Sequence, residues 1–399
     1  MVRVEEAEKQ ILQQCRDFGT EFIPLAECSG RVLAAPLVAD RDLPPYNRAT
    51  MDGIAISSAA FSKGIRHFHI RGTQPAGTEP LTLLQENDCI EIMTGAAVTS
   101  VADAVIPYEE IILENGIASV NTPVVIAGQN IHFKGKDCQQ NDRLVKAGEL
   151  VSPAVIATAA SVGKVELPVK RLPRVVIVST GDELVEINAV PEAYQVRRSN
   201  NYMLQAVLQS CGIDAAKEHL PDNPVVIKAK LQQLLVSFDV LLLCGGVSKG
   251  KFDFIPAVLK ELGVTEIFHG VRQRPGKPFW FGTHAQGALL FAFPGNPVSV
   301  FLCVHRYFLP WLHASLSLPD RKQWAKLEED VTFKLPLQYF MQVKCRMNEE
   351  GQLLAAPEEG NGSGDFANLL NADAFMELPA DKDFFRKGES FRIWPFRGL

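Results

Sequence analysis

Three short segments of the chain combine glycine with side chains that could hold an anion or a cation. They are residues 179–183, 245–253 and 294–299, and each follows an apolar run that is typical of a buried strand. Glycine lets backbone N–H groups approach an anion closely, and a helix that begins at Asn296-Pro297 would direct its free N–H groups toward the same ligand. The segments therefore predict a pocket for a phosphorylated ligand.

Charged side chains in and near these segments suit the same ligand. Arg274 and Lys277 flank a Pro-Gly turn and could neutralise phosphate or another oxyanion. Asp182, Glu183 and Asp253 supply carboxylates, which suit Mg²⁺ bound to phosphate oxygens. Each feature also has a plain structural explanation, because Gly-Gly after a strand is commonly a tight turn and Asn-Pro commonly starts a helix. Their convergence on one sheet favours a ligand site.

The elements that must position these residues are apolar strands alternating with amphipathic helices. This pattern is typical of a parallel sheet covered by helices on both faces, with ligands beyond the carboxyl ends of the strands. The predicted strands are residues 174–179, 239–244, 265–268, 278–281 and 289–293, and the predicted helices are residues 200–212, 225–235, 253–262 and a long helix from 296 onward. Asn200 is expected to cap the first of these helices.

The regions on either side of this α/β segment contain short β-rich pieces separated by Gly and Pro turns. Two helices are predicted among them, at residues 5–18 and 152–162. A chain of 399 residues is long enough for several domains. The predicted fold class is therefore α/β plus β-rich domains, with a central parallel-sheet domain and flanking β domains.

A second group of polar residues lies in the β-rich region before the α/β segment. It comprises residues 48–53, 93–96 and 134–137. Asp and Thr next to Gly are common turn residues, so a structural role is the first explanation from the residues alone. Nothing in the sequence brings this group near the α/β pocket.

Composition argues against several other classes of protein. The net charge of −6 is unlike that of a nucleic-acid binder, and the eight cysteines form no C-x-x-C pair that would indicate zinc or redox chemistry. No apolar run reaches the length of a membrane span, and the first residues lack the apolar stretch of a signal peptide, so a cytoplasmic location is expected. Residues 246–251 resemble a P-loop, but the spacing is one residue short and Phe252 replaces Ser or Thr.

Ordered motifs extend along nearly the whole chain. They are Met51-Asp52-Gly53, Met93-Thr94-Gly95-Ala96, Ser179-Thr180-Gly181-Asp182-Glu183, Ser199-Asn200, Gly245-Gly246-Val247-Ser248 with Asp253, Pro275-Gly276-Lys277-Pro278, Pro294-Gly295-Asn296-Pro297-Val298-Ser299 and Gly362-Ser363-Gly364. In this combination and order the chain resembles the MoeA family of molybdopterin molybdenumtransferases, which includes the E domain of gephyrin.

The resemblance implies an activity, an assembly and a domain division. Molybdate would be inserted into adenylylated molybdopterin with release of AMP, assisted by Mg²⁺. The protein would be a homodimer whose sites lie between the α/β domain of one subunit and the second domain of the other. The domains would be I (1–40 and 141–172), II (41–140, β-rich), III (173–316, a molybdopterin-binding domain like MoaB and Mog) and IV (317–399, a small β domain).

The resemblance also implies roles for individual residues, three of them in the second domain. The catalytic residues would be Asp52, Thr94, Asp137, Glu183 and Asp253. The metal ligands would be Asp182, Glu183 and Asp253. The substrate-binding residues would be Thr180, Gly181, Asn200, Asp222, Gly245, Gly246, Ser248, Arg274, Lys277, Pro294, Asn296, Pro297 and Ser299.

The chain departs from the family pattern at a few positions, and other functions stay open. Arg274 stands where the family usually has Lys, residues 46–50 differ from the usual pattern, and Lys136 precedes Asp137 in place of a frequent Glu. One alternative is a molybdopterin adenylyltransferase, which shares the α/β fold and the Gly-Gly-Val-Ser loop. Another is a non-catalytic scaffold. Transient contacts with an adenylyltransferase and with apo-molybdoenzymes are also expected, and the sequence does not separate molybdate from tungstate.

Overall fold

The structure, a computed structural model, describes residues 1–247 and 253–398. Up to residue 170 it consists mainly of short strands, with short 3-10 helices at Leu25–Glu27 and Tyr108–Glu110. The helices and strands of this part are α1 (Val4–Leu12), β1 (Thr20–Pro24), β2 (Leu37–Val38), β3 (Arg48–Ala49), β4 (Gly53–Ile56), α2 (Ser58–Ser62), β5 (His67–Gln74), β6 (Asp88–Ile92), β7 (Ala104–Pro107), β8 (Ile111–Glu114), β9 (Ile117–Val120), β10 (Ile131–His132), β11 (Arg143–Val145), α3 (Pro153–Ser161) and β12 (Glu166–Lys170).

Strand pairing organises this region around one six-stranded sheet. The sheet has the order β7-β4-β6-β5-β9-β8, and its centre is apolar on both faces, as the fully buried β4 shows. Outside it, β1 pairs with β12 and β2 pairs with β11, both antiparallel. These pairs bring residues near the start of this region together with residues near its end. The bounds of the four domains stay a prediction.

The first helix is shorter than the sequence predicts. We expected residues 5–18, but α1 ends at Leu12. The next residues leave the helix because they pack on the α/β domain: the indole N–H of Trp311 donates to the carbonyl of Gln14 at 3.1 Å, and the ring of Phe18 lies 6.1 Å from that of Trp311, edge to face. Tertiary contacts thus override the local helical spacing. The helix predicted at residues 152–162 is confirmed as α3, capped by Ser152.

The central part alternates strands and helices as predicted. A π-helical turn, Val304–Phe308, joins its last two helices. Its elements are β13 (Val175–Thr180), β14 (Leu184–Val185), β15 (Val196–Arg197), α4 (Ser199–Ser210), β16 (Ala216–Leu220), α5 (Pro224–Ser237), β17 (Val240–Cys244), α6 (Ile255–Glu261), β18 (Val264–His269), β19 (Gln273–Arg274), β20 (Trp280–His284), β21 (Leu289–Phe293), α7 (Pro297–Cys303) and α8 (Leu309–Ser315).

These strands form a mixed six-stranded sheet in the order β16-β13-β17-β21-β20-β18. The first four strands are parallel, as predicted, whereas β20 is antiparallel to both of its neighbours. The prediction of a parallel sheet is thus wrong for β20, which connects to β21 through the four residues 285–288. So short a connection allows only an antiparallel pair.

Both faces of the sheet are covered. Along β17, Val240, Leu242 and Cys244 belong to one apolar core, and Leu241 and Leu243 belong to another on the opposite face. All five residues are buried, as a strand between two helical layers requires. No helix in the described parts of the chain combines the length and hydrophobicity of a membrane span.

The C-terminal part is a small closed β structure, with a 3-10 helix at Phe366–Leu370. Its strands are β22 (Gln323–Leu327), β23 (Val331–Thr332), β24 (Gln338–Met347), β25 (Leu353–Pro357), β26 (Ala374–Leu378), β27 (Phe384–Phe385) and β28 (Ser390–Pro395). Five of them pair in a ring, β24-β25-β22-β28-β26, which closes because β26 also pairs with β24. Strand β19 of the α/β part adds to β24 in parallel. The predicted fold class, a central α/β domain with flanking β domains, is confirmed.

Candidate active site

The three segments that the sequence predicts to form a pocket meet at one edge of the central sheet. Strands β13, β17 and β21 are neighbours, and Ser179, Cys244 and Phe293 are paired across them. The loops that follow these residues therefore begin side by side. The N–H of Gly245 donates to the carbonyl of Phe293 at 3.2 Å, and a Cβ on Gly295 would lie 4.0 Å from the Cα of Gly245. This is the ligand edge of an open α/β sheet.

Thr180 and the two glycines of the second loop are in close contact. Gly246 has φ +68°, and a Cβ there would lie 2.9 Å from Oγ1 of Thr180 and 2.7 Å from Cγ1 of Ile255, so no larger residue fits without a shift. Oγ1 of Thr180 is buried and makes no hydrogen bond within the described residues. A buried hydroxyl without a partner is costly in a folded protein, so it favours a ligand atom at this position.

Carboxylates cluster beside this loop. The N–H of Asp222 donates to Oδ1 of Asp182 at 3.1 Å, and the carboxylate of Glu183 lies against the Cα of Gly181. Burial raises the pKa of Asp222, and the negative charges of Asp182, Glu183 and Asp253 raise it further, while a hydrogen bond from the backbone of Asp182 to the Asp222 carboxylate opposes them. The carboxylates of Asp182, Glu183 and Asp253 are therefore close enough to Asp222 to interact with it electrostatically.

A cleft of about 400 Å³ opens beside these loops, between the α/β part and the C-terminal β structure. The cations Arg274 and Lys277 line it, together with Pro294, Asn296 and Ser299. The rest of the lining belongs to the C-terminal β structure and includes Tyr339, which pairs with Arg274, together with Gln342, Glu358 and Ser363. The cleft thus holds two cations next to the loop that follows β21.

The two asparagines of the predicted pocket are placed differently from expectation. Asn296 precedes Pro297, the first residue of α7, as predicted, but its side chain does not cap the helix: Nδ2 donates to Oγ of Ser363 at 2.7 Å. Asn200 was expected as an N-cap and lies inside α4, because that helix begins at Ser199. Its Nδ2 donates to the carbonyl of Gly295 at 2.8 Å, so Asn200 ties α4 to the third loop.

The polar residues of the N-terminal β region form a second cluster. Oδ1 of Asp52 accepts hydrogen bonds from N of Thr94 at 2.6 Å and from Oγ1 of Thr94 at 2.8 Å, and these donors, the backbone one first, lower the pKa of Asp52. The N–H of Thr50 donates to the carbonyl of Asn130, which brings in the segment that leads to Asp137. Asp52, Thr94 and Asp137 are all exposed in the chain.

Similarity to known proteins extends over both clusters. Residues 2–163 match the MoeA N-terminal region (domain I and II), residues 176–314 a probable molybdopterin binding domain, and residues 324–396 the MoeA C-terminal region (domain IV). A molybdopterin molybdenumtransferase of Synechocystis is 39% identical over 99% of this chain and 100% of its own length. The chain belongs to the MoeA family. A second MoeA relative, the molybdopterin molybdenumtransferase of Synechococcus elongatus, is 34% identical over 94% of both chains.

The fold is that of MoeA proteins as well. The crystal structure of a molybdopterin biosynthesis MoeA protein from Pyrococcus horikoshii covers 100% of both chains with a TM-score of 0.85 and 28% sequence identity. Both expectations drawn from the motifs, the family and its multidomain architecture, are therefore confirmed.

Some residues that line the cleft or contact the candidate residues were not predicted from the sequence, and one predicted residue lies where the structure gives no description. Ser248 lies outside the described residues. The cleft wall formed by Tyr339 and Gln342 was not foreseen, although the Gly362-Ser363-Gly364 motif was noticed without a role. His132, which bonds Asp137 at 2.8 Å, was also missed. A lone histidine in a short strand has no pattern that separates it from a structural one.

The donor chemistry of the MoeA carboxylate cluster fits Mg²⁺. Within residues 1–247 and 253–398 no three metal-binding side chains are arranged to hold an ion. Mg²⁺, however, keeps several waters and is usually held by one or two carboxylates and the phosphates of the substrate. Burial is the main cause of the raised pKa of Asp222, and the repulsion from Asp182, Glu183 and Asp253 that adds to it is what a cation at this place would relieve. The carboxylates of this cluster therefore fit Mg²⁺ that is bound mainly by water and substrate phosphates.

Replacing Asp222 with asparagine should raise the melting temperature at pH 7. Because the pKa of Asp222 is raised in the folded protein, its stabilising contribution is complete below the unfolded pKa and is lost as pH rises through the folded value. Asparagine removes that loss, so the difference in melting temperature should shrink toward zero as pH falls to about 4. Melting curves at several pH values measure it. An equal gain at pH 4 and pH 7 would show that the charge of Asp222 is not the cause.

Proposed function

We propose that this protein inserts molybdate into adenylylated molybdopterin and releases AMP. The observation that carries the proposal is the convergence, at one sheet edge, of glycine loops, a carboxylate cluster and a cleft with two cations. A dinucleotide-like ligand with a phosphoanhydride needs these groups together, and membership of the MoeA family supports the same substrate. Molybdate enters as a substrate.

Cleaving a phosphoanhydride depends mainly on positioning and charge neutralisation. The oxygen of a water molecule forms a bond to one phosphorus of the anhydride while its bridging P–O bond breaks, so AMP and the molybdopterin phosphate separate and a proton of the water passes to solvent. In the insertion, the two thiol groups of molybdopterin bind molybdenum, and their two protons leave with one displaced molybdate oxygen as water. Arg274 and Lys277 would bind phosphate or molybdate oxygens in the cleft, and the N–H groups of Gly245 and Gly246 would approach the phosphates without side-chain interference. Thr180 would donate its hydroxyl, which has no hydrogen-bond partner among the described residues, and Glu183 would orient the attacking oxygen.

Asp182, Glu183 and Asp253 would hold Mg²⁺ together with the phosphates of the substrate. When bound, the ion supplies neutralisation of charge on the phosphate oxygens. The remaining protein groups act without it: Asn200 fixes the third loop, and Asn296 connects that loop to Ser363 across the cleft. A cytoplasmic location and transient contacts with an adenylyltransferase and with apo-molybdoenzymes belong to the same proposal.

Two other functions are less well supported. An adenylyltransferase needs little more than the α/β domain, whereas this chain also carries the hydrogen-bonded Asp52–Thr94 pair and two further β regions. A scaffold needs no pocket of cations and carboxylates. Insertion is the one function that uses both polar clusters.

The proposal is tested with purified protein, adenylylated molybdopterin, molybdate and Mg²⁺. We expect AMP to be released in proportion to the molybdenum cofactor formed, and not when molybdate is omitted. Absence of AMP, combined with formation of adenylylated molybdopterin from ATP and molybdopterin, would instead show an adenylyltransferase. Absence of both activities would favour the scaffold.

The second half of the site is proposed to come from a second copy of the chain. In the described residues, with 253 and 254 set aside, no hydrogen bond or ion pair joins residues 41–140 to residues 173–316 of the same chain. Asp52, Thr94 and Asp137 are exposed, so they are free to face another subunit. A homodimer with sites shared between subunits would give both clusters a common substrate.

Mixing two inactive variants should restore activity if the site is shared. Asp52→Asn and Asp253→Asn each inactivate a different half, so a mixed dimer contains one intact site and one doubly defective site. After complete exchange, about a quarter of wild-type turnover should return, because half of the dimers are mixed and half of their sites are intact. Differently tagged subunits establish that exchange occurred. Exchanged dimers that stay inactive would show that each site belongs to one chain.

A further inference from the structure

His132 lies between Arg48 and Asp137 on the surface of the N-terminal β region. Its Nε2 is 2.8 Å from Oδ1 of Asp137, and its Nδ1 is 3.4 Å from a terminal nitrogen of Arg48. The antiparallel pair of β3 and β10 places Arg48 and His132 opposite each other, so the backbone fixes this arrangement. The three side chains form one connected line.

The donors and acceptors in this line define the protonation of the ring. A guanidinium group only donates, so Nδ1 of His132 must accept from Arg48 and carries no proton. The proton of the neutral ring is then on Nε2, from which it donates to Oδ1 of Asp137. The carboxylate of Asp137 only accepts, so Arg48 and Asp137 favour the same tautomer, and Arg48 reinforces the choice.

Hydrogen bonds fix the backbone around Asp137, whereas the side chain of Asp137 is held by one side-chain partner among the described residues. The N–H of Asp137 donates to the carbonyl of Leu43 at 2.9 Å, and that of Gly135 donates to the carbonyl of Pro44 at 3.0 Å. The side chain of Asp137 is 53% exposed, and among the described residues His132 is the one side chain that bonds it. Without His132 the carboxylate would be free to populate other rotamers.

We infer that His132 is a positioning residue that orients the carboxylate of Asp137 for the reaction, with Arg48 reinforcing the tautomer that donates to Asp137. The inference rests on the proposed function, in which Asp137 completes the site of the other subunit. Oδ1 is held by the imidazole, so Oδ2 is the oxygen presented to substrate. His132 acts through its hydrogen bond to Asp137.

The test compares His132→Leu with His132→Gln in the AMP-release assay. Leucine cannot donate, so kcat should fall about ten- to a hundredfold, as misplacement of a reacting group does. The KM for adenylylated molybdopterin should change by less than about twofold, because the phosphate contacts lie in the other domain. Glutamine can donate to Asp137 from a similar distance, so it should recover most of the lost kcat. Melting curves confirm that both variants are folded.

A second measurement does not depend on turnover. In protein labelled with ¹⁵N histidine, the His132 ring should show a protonated Nε2 and an unprotonated Nδ1, and Arg48→Met should make the two tautomers more equal. The inference is overturned if His132→Leu retains wild-type kcat, if glutamine is no better than leucine, or if Nδ1 carries the proton. If wild-type protein releases no AMP, the proposed function is wrong. The tautomer of the His132 ring would still show whether His132 donates a hydrogen bond to Asp137.

Discussion

Replacing Glu183 with glutamine should lower kcat for AMP release by about a hundredfold or more while the protein stays folded. The change keeps the size of the side chain and removes only its negative charge. If Glu183 orients the attacking oxygen or helps to hold Mg²⁺, that charge is needed in the transition state. The assay is turnover with saturating adenylylated molybdopterin, molybdate and Mg²⁺.

The position of Glu183 explains why the effect should be large and local. Its carbonyl accepts from the N–H of Val196 at 2.9 Å, which fixes the backbone directly after the first loop. Its carboxylate lies over Gly181, at the end of β13, where φ is +134° and a Cβ would collide with the carboxylate oxygens. The carboxylate is exposed and makes no hydrogen bond in the described residues, so its loss breaks no structural contact there.

Glu192→Gln is the matched control, because Glu192 is an exposed glutamate between β14 and β15 and its loss should leave kcat unchanged. A second readout is the pKa of Asp222, which the charge of Glu183 helps to raise and which should fall in Glu183→Gln. If Glu183→Gln keeps wild-type turnover while the pKa of Asp222 falls, Glu183 has no part in the mechanism. Its charge would then only influence the ionisation of Asp222.

How much of this could be predicted from the sequence depends on the local signal of each element. Strand β17 is apolar throughout because helices cover both faces, so its composition alone identifies it. Strand β16 was missed: its sequence, Ala216-Lys217-Glu218-His219-Leu220, is polar because it is the edge of the sheet and pairs only with β13. Charged edge strands are common, since they prevent pairing with other chains.

The pocket loops could also be predicted from a local signal in the sequence. The cleft could not. Each loop follows an apolar strand, and parallel neighbouring strands end at the same edge. The cleft instead depends on contacts between residues distant in sequence, such as Asn296 with Ser363, 67 positions apart. No periodicity links such residues, and only the folded chain shows that the C-terminal β structure lines the cleft beside Arg274.

Replacing Gly246 with alanine should abolish most turnover, whereas Gly263→Ala should preserve it. Both glycines have positive φ, +68° and +77°, so each alanine costs about 1–2 kcal/mol of backbone strain. Only at Gly246 would the Cβ also meet other atoms, Oγ1 of Thr180 at 2.9 Å and Cγ1 of Ile255 at 2.7 Å. At Gly263 nothing lies within 4 Å.

Comparing the two variants separates the effect of the steric clash at Gly246 from the backbone strain that both variants share. Relief of the clash moves either the loop or the hydroxyl of Thr180, and a shift of about 1 Å at a binding loop can cost a hundredfold in rate. We therefore expect a larger loss of melting temperature in Gly246→Ala than in Gly263→Ala, because the clash adds to the strain, and a loss of kcat in Gly246→Ala alone. Equal kcat losses would attribute the effect to strain. Full activity in Gly246→Ala would mean that the loop tolerates a side chain, and then its glycines are turn residues with no special access to phosphate.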